Sequence, residues 1–515
     1  MIPTRRDFLK RTGLLTVGGL TGLGSLRCTP DPVEQAVTAA TDFAAFDGVG
    51  LAELVRNGEV TPLELVEDVL RRVDAVNPRI NAVLPSLFDP DKARARAMGA
   101  LGDGPLSGVP VMLKNLTGYA EAAIDSGSRL FSRALADGKI PPRPTSPLVQ
   151  AMEDTGMIIT GITSTPELGL TDTTEPVLHG PTRNPWNPEY SPGGSSGGTG
   201  AAIAAGIVPL AHGNDGGGSI RLPACQNGIF GLKPSRGREL GAAEPTVLSI
   251  ANNLCLSRSV RDTAAFLSVT ENRDNPDLAP VGYVEGPSSE RLRIALMTES
   301  FHGEPMHDEV RQAVESAAEL CRELGHEVAE VPLPVDGKEF MDTFIGFWST
   351  STLDLVETAD RLYPDTDVSE LLEAWTLGLA ELARERGVES AVARAEDVFA
   401  RANEAMIRLF ESHDVMLSPV ARTPPFRVGE HDPQGDFDTI LERVLSVVAY
   451  TPLQNATGMP GMSVPLHWTA DGLPVGLQFS AWRGGEARLL ALAYELEEAR
   501  PWFDRRPPIH ASSVL

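Results

Sequence analysis

Leu65, Val66, Val69, Leu70 and Val73 fall on one face of a 3.6-residue period, which predicts an amphipathic helix over 61–76. Its start is marked by Thr61 with Glu64 three residues on, a capping box, and by Pro62 at the first helical position. Residues 51–57 read as a shorter helix before it. The period then changes. Residues 108–114 and 157–163 are short apolar runs of strand length, the form of strands buried on both faces. The first ends on Lys114, and an amine at the end of a buried strand has to be paired or shifted in pKa.

Residues 171–198 interrupt the pattern with prolines at 176, 181, 185, 188 and 192, predicting a long irregular crossing. The small apolar residues of 200–210 suit a buried helix, and 212–219 reads as a glycine-rich loop. Farther on, 292–297, 307–324 and 327–331 make strand, helix, strand. Residues 354–410 are mostly helical and charged, and 415–419 and 475–479 look like returning strands. Without an internal repeat or a clear linker after residue 46, this predicts a single α/β domain with a helical excursion over 335–412. Phe344, Phe347 and Trp348 in that excursion are expected to supply pocket walls.

The beginning of the chain follows other rules. A basic head, MIPTRRDFLKR, precedes about fifteen residues of Leu, Gly, Thr, Val and Ser only, an export-signal pattern too short to span a membrane. Thr4-Arg5-Arg6-Asp7-Phe8-Leu9-Lys10 resembles the twin-arginine signal, which implies export of the folded protein by the twin-arginine translocase to the periplasm or the medium. Residues 1–39 are read as signal and cleavage region, 40–50 as a linker and 51–510 as the domain. Cys28 follows Arg27, a poor match to a lipidation site, so soluble export is expected over a lipid anchor.

Charge sharpens the functional picture. The chain of 515 residues carries a formal net charge of −26; removing residues 1–28 takes away five positive charges and one negative, leaving about −30. Such a surface repels phosphate backbones, so nucleic acid is not an expected partner. Cys28, Cys225, Cys255 and Cys321 lie far apart without metal-ligand spacing, and the sequence from His326-Glu327 lacks the second histidine of a zinc protease. No cofactor and no metal is implied. Gly (49) and Pro (41) make up about 17% of the chain, against a usual ~12%, and much of the excess falls between residues 171 and 238.

Two glycine-rich segments there place serine where a substrate can approach the backbone: Gly193-Gly194-Ser195-Ser196-Gly197-Gly198, and Gly213-Asn214-Asp215-Gly216-Gly217-Gly218-Ser219-Ile220-Arg221. Successive N–H groups in such a loop can converge into an oxyanion hole. GGSSG also fits the G-x-S-x-G elbow, but that motif needs a strand leading into it, and Asn184 to Pro192 with three prolines is not one. The alternative is a serine activated by a neutral lysine, for which Lys114 has the right apolar surroundings.

These residues resemble the amidase signature hydrolases from Leu51 to about Trp502. The matching segments are GVPVMLKN around Lys114, RNPWNPEYSPGGSSGG, GNDGGGSIRLP, GLKPSRGR, SPVARTPP and TGMPGMSVPLHWTADGLPVGLQF. The resemblance implies one domain built on a large mixed sheet covered by helices on both faces. It makes Ser219 the nucleophile, Ser195 the relay serine after a cis Gly194–Ser195 peptide, and Lys114 the base. Gly216, Gly217, Gly218 and Ser219 would form the oxyanion hole, supported by Asp215, Arg221 and Ser196. Within the family, LVRNGEVTPLELVE, TTEPVLHGPTRNPWN and LEEARPWFDRRP are most similar to the 6-aminohexanoate-cyclic-dimer hydrolases, implying a small linear or cyclic amide as substrate. A homodimer is compatible with this reading. Its rivals are the glutaminase subunit of a tRNA-dependent amidotransferase and a catalytically silent exported solute-binding protein. Asn115, Ile162, Ser164 and Asn227 depart from the family pattern without touching the triad.

Overall fold

The computed structural model describes residues 42–242 and 245–515; the expected export signal, its cleavage region and Cys28 lie outside the described residues. Ten strands carry the architecture: β1 (Pro110–Lys114), β2 (Ile158–Thr163), β3 (Leu210–Asp215), β4 (Phe230–Lys233), β5 (Asn252–Ser257), β6 (Arg293–Leu296), β7 (Glu327–Glu330), β8 (Val415–Pro419), β9 (Gly461–Trp468) and β10 (Pro474–Ser480). They form one mixed sheet in the order β2-β1-β3-β5-β4-β9-β10-β8-β6-β7.

β1 and β2 are buried at every position, as their unbroken apolar character requires. They run parallel, Pro110 opposite Ile158 and Lys114 opposite Thr163, and β3 joins the other side of β1 with Met112 opposite Ala211. Lys114, Thr163 and Asp215 therefore end at one edge of the sheet. Carboxyl ends of parallel strands are where such sheets bind ligands.

The helices that matter below are α1 (Gly48–Arg56), α2 (Pro62–Ile80), α3 (Gly197–Ala204), α4 (Arg221–Asn227), α5 (Gly337–Ser349), α6 (Ser351–Leu362), α7 (Ala374–Arg386), α8 (Val388–Ser412), α9 (Phe437–Val447) and α10 (Pro452–Thr457). α2 begins at the capping box: Thr61 N–H donates to Glu64 Oε2 (2.7 Å) and Glu64 N–H to Thr61 Oγ1 (3.2 Å). It runs four residues past the predicted end because Val76 and Ile80, both fully buried, carry it beyond Pro78.

The 200–210 segment needs correction. The helix there is α3, which ends before Gly206 in the left-handed region (φ +73°), and 210–215 is strand, not helix and loop. β3 lies between β1 and β5, with Leu210 opposite Ser257 and Asp215 opposite Asn252; its ladder partners override the weak strand propensity of His-Gly-Asn-Asp. β4, β5 and β9 were not predicted at all.

The excursion is α5 to α8. It is joined to the sheet by a buried carboxyl pair: Glu167, just after β2, accepts from Ser128 Oγ (2.8 Å), from Thr376 Oγ1 (2.6 Å) and from the N–H of Glu373 (2.9 Å) at the start of α7. Burial first, and for Glu373 the neighbouring Glu167 second, raise the pKa of each.

Candidate active site

Lys114 closes β1 with its side chain fully buried. Nζ donates to Ser195 Oγ at 2.7 Å and to Asn214 Oδ1 on β3. Burial drives its pKa well below the usual 10.5, outweighing the opposing pull of the Asp215 carboxylate. A lysine normally charged at neutral pH is thus held in the form that can take a proton. His212 on β3 is likewise buried and kept neutral, its pKa pushed down to about 3.

Ser195 follows a cis peptide bond with Gly194. A Cβ at Gly194 would stand 2.3 Å from the Thr173 carbonyl oxygen, so only glycine permits this approach. Thr165 Oγ1 donates to the Ser195 carbonyl (2.9 Å), and Ser196 Oγ to that of Asn214 (3.2 Å). The GGSSGG segment is thereby pinned to the edge where β2 and β3 end, immediately before α3.

Between β3 and α4 the Asp215 carboxylate gathers the second glycine loop. It accepts from the N–H groups of Gly218 (2.8 Å) and Ile220 (3.1 Å), and from Arg221 through Nε (3.0 Å) and Nη2 (2.9 Å). Both partners of this ion pair are completely buried. The remaining guanidinium hydrogens go to the Thr451 carbonyl (2.9 Å), Gln454 (3.0 Å), Gln478 (2.6 Å) and Asn455 (2.6 Å). Lys233, buried nearby, has its pKa lowered to about 7, first by burial and then by Arg221.

One expected role changes. The Gly218 N–H is committed to Asp215, so it is not available to an oxyanion, which leaves Gly216, Gly217 and Ser219 as candidates. Gly218 has φ +137°, and a Cβ there would meet Thr451 Oγ1 at 2.4 Å; that hydroxyl donates to the Gly217 carbonyl (2.6 Å).

Ser219 opens onto a cavity of about 500 Å³ that is partly open to solvent. Its wall is overwhelmingly apolar. Met341, Phe344, Ile345 and Trp348 contribute one face of α5, and Trp375 comes from α7. Trp348 Nε1 (3.3 Å) and Trp375 Nε1 (3.1 Å) both donate to the Leu170 carbonyl, fastening the crossing segment beside Ser195 to the excursion. Phe347 does not line the cavity. It packs edge-on against Phe399 with ring centroids 5.8 Å apart, because the cavity stripe on α5 runs through 341, 344, 345 and 348. Val444 in α9, Val448 and Pro452 complete the wall from outside the predicted excursion.

The departures from the family pattern have structural roles of their own. Asn115 donates to Asp125 (2.6 Å) and accepts from the N–H groups of Asp125 (3.2 Å) and Ser126 (3.3 Å), which an aspartate could not do without opposing Asp125. Asn227 bridges the carbonyls of Pro192 (2.7 Å) and Pro223 (2.8 Å), tying the two glycine segments together. Ile162 is buried in β2, and Ser164 N–H bonds the Ala82 carbonyl (2.8 Å).

The sequence matches the Amidase family over residues 64–490. The chain belongs to the amidase signature family. Among its amidase relatives, the Mycobacterium tuberculosis protein named "Putative amidase AmiC" is 40% identical over 481 residues, covering 91% of this chain and 97% of the relative. The 6-aminohexanoate-cyclic-dimer hydrolase of Paenarthrobacter ureafaciens is 34% identical over 498 residues, covering 90% and 96%. The solved structure of a 6-aminohexanoate cyclic dimer hydrolase superposes with a TM-score of 0.80 at 30% identity, covering 91% of this chain and 99% of that one. The large mixed sheet flanked by helices is the amidase signature fold, and the protein is a hydrolase of carbon–nitrogen bonds.

Asn214, Thr165, Thr451 and Asn455 were missed as site residues. Asn214 stood inside the GND motif and could have been named from it. The other three reach the site only through the fold.

Proposed function

We propose that the protein hydrolyses a small, largely apolar carboxylic amide through an acyl-enzyme on Ser219. The observation that carries this is the 2.7 Å bond between a buried, neutral Lys114 and Ser195 Oγ beside a cavity walled by Ser219. Ser195 takes the Ser219 proton while Lys114 takes that of Ser195, and Ser219 Oγ attacks the amide carbonyl. The N–H groups of Gly216, Gly217 and Ser219 hold the developing oxyanion. The proton on Lys114 then returns through Ser195 to the departing amine, leaving an ester on Ser219, and water hydrolyses that ester by the same relay in reverse. Similarity to the cyclic-dimer hydrolases and the apolar wall support linear or cyclic aliphatic amides as the substrate class. The glutaminase reading has less support: the amidotransferase subunit of known structure is 22% identical and shares only the fold, and the cavity offers little to the polar side chain of glutamine.

A fluorophosphonate probe is expected to label the purified protein on Ser219, with the label lost in Ser219→Ala and mapped by peptide mass spectrometry. Labelling at another serine, or undiminished amide hydrolysis by Ser219→Ala, overturns the reading.

We also propose that the enzyme works outside the cytoplasm after twin-arginine export, on the strength of Arg5-Arg6 and the short apolar run after it. The Arg5→Lys, Arg6→Lys double variant is expected to remain in the cytoplasmic fraction while the parent leaves it. Equal distribution of the two sinks this proposal.

A further inference from the structure

One carboxylate in the cavity wall has an oxygen to spare. Asp172 lines the cavity together with Gly194, Gly217 and Ser219, and is 4% exposed. Its Oδ1 accepts from His431 Nδ1 at 2.8 Å and, more distantly, from Thr171 Oγ1 at 3.4 Å. Its Oδ2 is buried and has no hydrogen-bond partner among the described residues. Buried carboxylate oxygens are rarely left so. Asp215 shows the ordinary arrangement a short distance away, with both oxygens filled by backbone N–H groups and arginine.

The neighbours of Asp172 cannot supply the missing donor. His431 is stacked on Phe426, ring centroids 3.9 Å apart and planes 14° from parallel, with Nδ1 committed to Oδ1. Thr173 Oγ1 donates to Glu175 (2.6 Å), whose other oxygen takes the Gly429 N–H (2.8 Å). Glu175 adds a second carboxyl beside His431, so this end of an otherwise apolar cavity favours a donor or a positive charge.

We propose that Asp172 is a specificity-determining residue whose Oδ2 accepts a hydrogen bond from a substrate N–H remote from the scissile amide. The substrate class is then an amide whose apolar spacer ends in an ammonium group or in the N–H of a second amide. This deepens the amidase reading and rests on it. An N–H carried into an apolar cavity loses its water and needs an acceptor there. An acceptor held in place by His431 supplies one without reorganisation, and a bond to a carboxylate is stronger than one to a neutral oxygen.

The test uses three series of matched spacer length: unsubstituted alkanamides, ω-aminoalkanamides and ω-acetamidoalkanamides. At one spacer length an N–H-bearing series is expected to exceed the alkanamide by about tenfold or more in kcat/KM, mainly through KM; the ammonium and acetamido arms identify which donor is taken. Asp172→Asn, which keeps the volume and an acceptor for His431, is expected to bring that ratio close to one. A ratio near one throughout in the parent enzyme, a ratio that survives in Asp172→Asn, or an equal loss on all three series overturns the proposal. Calorimetric binding of the same compounds to Ser219→Ala reads the ratio without chemistry. It decides the matter even where Asp172→Asn does not fold, and absence of all turnover in the parent enzyme is then a failure of the amidase reading alone.

Discussion

Lys114→Met is expected to lower kcat/KM for amide hydrolysis by about a thousandfold or more, the scale of losing a general base that acts as one unit with its nucleophile. The substitution keeps an apolar stem of similar length and removes an amine that burial already disfavours in its charged form. In the parent enzyme the productive state of Lys114 is the neutral one, so activity falls as pH drops through its lowered pKa, at a pH well below 10.5. That acid limb disappears from the residual activity of Lys114→Met. Stability moves in a defined direction too. With the folded pKa below the unfolded one, the unfolded chain binds more protons between the two values, and stability rises with pH across that window. Lys114→Met lacks this slope, which melting curves over a pH series check. A variant retaining a tenth of parental activity, or a parent whose acid limb lies near 10.5, removes lysine from the base role.

Asp215→Asn is expected to cost about 3–5 kcal/mol of folding stability, the range for breaking a fully buried ion pair from one side. The charge of Arg221 would then stand in the interior opposite a neutral amide, and the Gly218 and Ile220 N–H groups would compete for one oxygen where they now have two. Burial opposes ionisation of Asp215, but Arg221 prevails and holds the carboxyl below its ordinary 3.8. A depressed pKa stabilises the fold above the unfolded value and loses that contribution as pH falls through the folded one. Asp215→Asn should therefore flatten the acid limb of stability. Urea unfolding of Asp215→Asn, Arg221→Met and the double variant measures the coupling. The double variant is expected to be less destabilised than the two singles added together, since it leaves no unpaired charge. A loss under about 1 kcal/mol in Asp215→Asn shows that the pair does not hold the loop.

Much of the site was legible in the chain because its chemistry is local in sequence. Lys114 ends an apolar run, Ser195 and Ser219 each sit among glycines, and Asp215 and Arg221 are six residues apart, near enough to pair across one turn. The oxyanion donors were legible only in part. Four consecutive N–H groups are alike in sequence, and which of them faces the cavity depends on the Asp215 side chain, which draws that of Gly218 inward. Phe347 was misplaced for a similar reason: three aromatics in a row of five read as one cluster until the orientation of α5 selects 344 and 348.

Hydrophobic period, capping chemistry and the two serine-glycine segments are properties of neighbouring residues, so the sequence alone determined α2, the buried strands β1 and β2, the family and the Lys114, Ser195 and Ser219 set. Only the tertiary structure decided what depends on distant partners. β3 is a strand because β1 and β5 lie on either side of it. Lys114 is neutral because the assembled core excludes water from its amine. Asp172 keeps a free oxygen because His431, 259 positions away in the chain, takes the other one. Burial and long-range pairing are created when the sheet closes over these groups, and no local pattern in the chain encodes them.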